Sequence, residues 1–130
     1  MAFMAEVAGS TYEYMEDLPP LCPPDYAELK AYDGVWRYVT SYPPVPSDFQ
    51  SWAAIKEAPP TADPCRWASC SVFLTKDAAY KKLPKMRARH KFLVKIAITA
   101  KCGFTHCRDL HIDFWRFKSF KPTVLEVEAI

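Results

Sequence analysis

The densest chemistry in this 130-residue chain lies between two aromatic residues. Tyr80 and Phe92 bracket Lys81, Lys82, Lys85, Arg87, Arg89, His90 and Lys91, which is six cations and an imidazole within eleven positions. Lys and Arg neutralise phosphates and release counterions, and aromatic faces stack bases, so the pattern suits nucleic acid or another phosphate-bearing ligand. An acidic protein would meet the same charge, and the plainest alternative is a solvated helix face with its following loop. His111, Asp113 and Trp115 alternate onto one face of a strand, where Asp113 can orient the His111 imidazole for proton transfer. Side chains two apart on a strand lie about 6.5–7 Å apart, so a cross-strand partner has to complete that pair. Cys65 and Cys70, and likewise Cys102 and Cys107, have four residues between them, with His106 and His111 beside the second pair. Thiolates and imidazoles would suit tetrahedral zinc. The spacing is loose for that, and free Cys is among the most buried residue types, so small buried hydrophobes are the favoured reading and zinc is not expected.

Composition bounds the rest. Half the residues are apolar and 25% are charged, which excludes a wholly disordered chain, and the length fits one domain. Gly9, Gly34 and Gly103 are too far apart for GxGxxG or a Walker A loop, which removes the glycine-loop nucleotide sites. Met1 to Ser10 contains Glu6 and no Lys or Arg, unlike a secretory leader. The longest apolar stretch, Phe92 to Ala100, is short and interrupted by Lys95, so no membrane association is expected. An odd number of irregularly spaced Cys points to reduced thiols and a cytoplasmic setting.

The net charge of +2 hides a partition. Met1 to Asp33 carries seven acids against Lys30, whereas Pro64 to Pro122 carries fourteen Lys or Arg against Asp77, Asp109 and Asp113. An acidic segment therefore precedes a basic body. The prolines of DLPPLCPPDY favour extended backbone, so residues 1–25 read as an acidic, Pro-rich arm and 26–130 as the domain.

The elements that must position these groups follow from periodicity. Short helices are expected at Asp25 to Tyr32, Asp48 to Ala58 and Lys76 to Leu83, the last two begun by Ser47 and Thr75 as caps and the last ended by Pro84. Strands are expected at Val35 to Thr40, Ser69 to Leu74, His90 to Ala100, His111 to Phe117 and Val124 to Ile130, with a turn at Lys101 to Thr105 around Gly103. In the third of these, Phe92, Val94, Ile96 and Ile98 share one face. The class is α+β, with a mixed or antiparallel sheet of about five strands and two or three short helices.

The run Ser69-Cys70-Ser71-Val72-Phe73-Leu74-Thr75-Lys76-Asp77-Ala78-Ala79-Tyr80, followed by Lys91 to Ile98, resembles part of the ADP-ribosyltransferase fold, and Trp36-Arg37-Tyr38 resembles its first strand. The resemblance covers about half the chain. It implies NAD as a cofactor, Arg37 on the dinucleotide, Ser71 and Tyr80 around nicotinamide, and Glu128 as the catalytic carboxylate; His111 is the other catalytic candidate. It also implies a toxin, defence or accessory setting. The competing expectation is a non-enzymatic interaction module that docks a partner or a second copy of itself. In that reading the acidic arm, the basic body and surplus surface Trp and Tyr make the contacts. The sequence leaves catalysis open.

Overall fold

A computed structural model describes residues 12–130. Six strands, β1 (Tyr32–Val39), β2 (Cys70–Phe73), β3 (Phe92–Ile98), β4 (Gly103–Arg108), β5 (His111–Arg116) and β6 (Thr123–Ala129), form one sheet. Their order is β4-β5-β2-β1-β3-β6, and every neighbouring pair is antiparallel. The helices are single turns: α1 (Pro64–Trp67), α2 (Lys76–Tyr80) and α3 (Leu83–Met86).

The sixth strand is β4, which the sequence presents as a turn because it contains Gly103 and little apolar alternation. Gly103 instead serves a close approach, since a Cβ there would lie 2.3 Å from the Trp115 carbonyl oxygen, at a φ of +153° that side chains rarely adopt. The hairpin turn falls later, at Asp109 and Leu110, with Asp109 in the left-handed region. No helix forms at 25–32. The helix expected at 48–58 is replaced by two 3₁₀ turns, Pro46–Phe49 and Trp52–Ala54, separated by extended backbone at Gln50. Arg37 explains the break, because its guanidinium takes the Asp48 and Gln50 carbonyls that a continuous helix would need. The helix expected at 76–83 divides into α2 and α3, with Pro84 in the first turn of α3, where its missing N–H costs nothing.

Strand alternation gives the sheet two faces. Val35, Val39, Cys70, Val72, Val94, Ile96, Ile98, Ile112 and Phe114 form the main core with Phe49 and Phe120. On the opposite face Trp36, Tyr38, Leu93 and Ala79 pack with Phe73, Leu83 and Met86 of β2 and α3. That second cluster covers only part of the sheet, and the uncovered part over β1, β2 and β5 becomes the floor of a cleft.

The arm's first eleven residues lie outside the described residues. From Tyr12 onward the chain lies against the body: Met15 N–H donates to the Arg116 carbonyl at 3.1 Å, and Lys118 N–H to the Glu13 carbonyl at 2.7 Å. Glu16 sits 3.0 Å from the buried Arg116 guanidinium and also accepts from the Ser51 N–H and hydroxyl. Cys22 and Cys65 are joined in a disulfide, which corrects the expectation of free thiols throughout and leaves Cys65 no thiolate for a metal. The 43-residue separation hid this pairing, because only the fold brings the arm beside α1.

Asp48 holds the turn that leads into the cleft wall. Its buried carboxylate accepts from the Thr40 N–H and hydroxyl, the Ser41 hydroxyl and the Val45 N–H, at 2.8–2.9 Å. Burial alone would raise its pKa, but these four donors favour the charged form and hold the carboxyl below its ordinary value. A folded pKa below the unfolded one gives stability that is full above the unfolded value, near 3.9, and lost as pH falls through the folded value. Asp48→Asn is expected to cost about 2–4 kcal/mol at pH 7 in urea unfolding, with the gap to the parent protein narrowing in acid.

Candidate functional site

The cleft encloses about 390 Å³. Its floor is a row of rings produced by register. His111 is paired with Phe73 across β5 and β2, with ring centroids 6.2 Å apart. Phe73 and Tyr38 are 6.1 Å apart, as are Tyr38 and His90. Ser69 and Ser71 lie on the same face. One wall is the α3 segment, where Leu83 and Met86 turn down onto the second core cluster and leave Lys82, Lys85 and Arg89 beside the opening. The other wall is Gln50, Trp52 and Ile55.

Arg37 ties the walls to the floor. β1 and β2 share a single register pair, Trp36 with Phe73. Beyond it, Arg37 donates from Nη1 to the Ser71 carbonyl at 2.7 Å, from Nε to the Asp48 carbonyl at 3.0 Å and from Nη2 to the Gln50 carbonyl at 3.0 Å. These bonds occupy three of its five N–H groups and place a fixed positive charge at the cleft.

A second, more open pocket of about 290 Å³ adjoins the first, with Ser71 and His111 lining both. It is built around Asp113, which is 2% exposed. Arg108, opposite His111 across the hairpin, donates to both Asp113 oxygens from Nε and Nη2 at 3.1 and 3.2 Å. Arg66 approaches the same carboxylate at 3.7 Å. His111 Nδ1 lies 3.1 Å from Arg108 Nη2 and 3.5 Å from Asp113 Oδ1; the guanidinium contact is the shorter and a guanidinium only donates, so Nδ1 accepts and the neutral ring carries its proton on Nε2. Burial lowers the His111 pKa, and the raising effect of Asp113 is opposed by Arg108, Arg66 and Lys82. His90 holds the opposite tautomer, with Nε2 left as an acceptor. Its Nδ1–H donates to the Met86 carbonyl at 3.1 Å, and burial lowers its pKa.

The cleft gathers Arg37, Ser71, Lys82, Lys85, Arg89 and His111 from the residues singled out in the sequence. Lys81, Arg87 and Lys91 are exposed and outside its lining. Glu128 is also elsewhere. It lies on β6 at the sheet's far edge, where it accepts from the Tyr80 hydroxyl and pairs with Lys76 at 2.9 Å. Those two bonds, the Tyr80 one foremost, hold its pKa below the usual carboxylate range. β2, β1 and β3 intervene between it and His111, so the two catalytic candidates do not meet. Cys70 is buried in the main core, Cys102 lies beside Thr99, and Cys107 donates to the Asp109 carbonyl. Among the described residues, no three His, Cys, Asp or Glu side chains converge as a metal site.

Sequence reasoning missed Gln50 and Ile55, and counted Trp52 only among the surplus surface aromatics, because the broken helix that carries them reads as continuous. It also missed Arg108 as the partner of His111 and Asp113. A strand assignment for 103–108 would have placed Arg108 there through the two-residue turn.

No family model, curated protein or solved structure matches this chain. Among the described residues, no helix is long and apolar enough to cross a membrane.

Proposed function

We propose that this domain binds single-stranded nucleic acid, taking a base into the cleft and phosphates along the α3 wall. One observation carries the reading: Arg37, Lys82, Lys85 and Arg89 line the cleft together with Trp52, Phe73 and Tyr38, and no carboxylate is among the lining residues. Unbalanced positive charge draws phosphate, and aromatic side chains accept any base, each stacked base contributing about 1–3 kcal/mol. An acidic peptide would satisfy the cations but supplies no flat ring for the aromatic walls. The transferase chemistry implied by the ADP-ribosyltransferase resemblance would need a carboxylate beside the nicotinamide ribose, and Glu128 stands outside the cleft with Tyr80 and Lys76. NAD, with its ring and its phosphates, fits the same lining chemistry and serves as the competitor.

The test is fluorescence anisotropy with a labelled eight-nucleotide single strand at several salt concentrations. Saturable binding is expected to weaken with a log–log salt slope of about −2, as for three phosphate contacts on a single strand. Unlabelled strand should compete better than NAD. A salt-independent signal, or competition by NAD alone, would overturn the reading in favour of a small-ligand site.

A further inference from the structure

The second pocket gives the proposed strand somewhere to go. Resting on the nucleic-acid reading, we infer that it is a phosphate subsite continuous with the cleft, so that the recognised unit is a dinucleotide step whose bridging phosphate lies at His111, Arg108 and Arg66.

Three features support this. First, the pockets share Ser71 and His111, so they adjoin at these two side chains. Second, the donors at the junction are preorganised. Arg108 fixes the His111 tautomer, so Nε2–H is available as a donor while Nδ1 is occupied. Arg108 is itself held by Asp113 through Nε and Nη2, which leaves its Nη1 without an acceptor among the described residues. Arg66 comes no closer to Asp113 than 3.7 Å, at Nε, which is an ion pair and not a hydrogen bond, so its guanidinium is less firmly committed than that of Arg108. Planar guanidinium forks of this kind match phosphate oxygens in pairs. Third, the aromatic wall runs through both pockets. Trp52 lines the cleft and Trp67 the second pocket, stacked with centroids 5.8 Å apart and planes 24° apart. Lys56 Nζ lies over both rings, 5.3 and 5.9 Å from their centroids, so this wall offers successive nucleotides a cation as well as rings while the phosphate between them reaches the junction.

The second pocket also contains Asp63 and Asp113, so its charge is balanced where that of the cleft is not. Asp63 is committed to capping α1, accepting from the Cys65 N–H at 2.9 Å. Asp113 is committed to the arginines. The second pocket therefore recognises phosphate by directed hydrogen bonds more than by bulk charge. Selectivity follows: a phosphodiester with a nucleoside on each side uses both pockets, and a mononucleotide uses only the first.

The experiment is calorimetric titration of the full chain with UMP, UpU and dTpdT, repeated on Arg66→Gln and His111→Phe. Arg66 is exposed and its ion pair with Asp113 is long, so its replacement leaves the fold intact; circular dichroism checks both variants. UpU and dTpdT are expected to bind about tenfold tighter than UMP, with both variants removing most of that advantage; Arg66→Gln, which lies outside the cleft, leaves UMP affinity unchanged, whereas His111→Phe, at the junction of the two pockets, lowers it as well. Stronger binding of UpU than of dTpdT would place the ribose 2′-hydroxyl in the site, and equal binding would assign the gain to the phosphodiester alone; both support the subsite. Equal affinity for all three ligands, insensitive to Arg66→Gln, would overturn it while leaving nucleic-acid binding standing. Absence of binding by any of them, and by the eight-nucleotide strand, would overturn the functional reading itself.

Discussion

Arg37→Ala is expected to lower the unfolding free energy by about 3–5 kcal/mol, because three charge-assisted hydrogen bonds disappear together and leave their carbonyls without a donor. The size of the effect comes from where those carbonyls sit. Ser71 belongs to β2, Asp48 to the first 3₁₀ turn and Gln50 to the link before the second, so one side chain joins three separate segments. β1 and β2 have a single register pair, and nothing in the ladder replaces the bond to Ser71. Arg37→Lys is expected to recover less than half of the loss, since one ammonium cannot span three divergent acceptors as a planar fork does. Urea unfolding of the two variants beside the parent protein checks both values. Any variant that remains folded should also bind nucleic acid weakly, because the Gln50 and Trp52 wall is no longer tied to the floor.

The second large effect separates binding from folding. Lys82, Lys85 and Arg89 are exposed, and among the described residues none forms a salt bridge, so reversing their charge leaves the core untouched. The triple variant Lys82→Glu, Lys85→Glu, Arg89→Glu is expected to lose about a hundredfold or more in affinity for a single strand at low salt and to flatten the salt slope. Its unfolding midpoint should stay close to that of the parent. The matching replacement of Lys81, Arg87 and Lys91, which lie outside the cleft, is expected to have a much smaller effect on affinity. Equal losses from the two triples would mean that net charge, not the cleft, governs binding, and anisotropy at two salt concentrations distinguishes these cases.

Much of this arrangement can be read in the sequence. The alternation from Phe92 to Ile98 specifies β3 and its buried face, Thr75 does cap α2 by accepting from the Ala78 N–H, and the basic run does supply one wall of the cleft. The illegible parts depend on long-range partners. The segment after Ser47 has helical spacing, yet Arg37, ten residues upstream, captures its carbonyls and breaks it into two turns. Gly103 reads as a turn because its actual role, proximity to the Trp115 backbone, exists only once β4 and β5 are paired. Which cations face the cleft was equally hidden, since that follows from the break between α2 and α3. The disulfide between Cys22 and Cys65 could not be deduced from five irregular cysteines.

The central claim is that nucleic acid occupies the cleft itself. The most direct measurement is a nuclear magnetic resonance titration of isotope-labelled protein with an unlabelled single strand, following the Trp52 and Trp67 indoles and the amides of Ser71, Phe73 and His111. The account predicts progressive, saturable shifts at those positions, with Glu128, Tyr80 and the rest of the β6 edge unmoved. Shifts centred on β6 and α2 with the cleft signals unchanged, or no shifts at all at low salt, would contradict it.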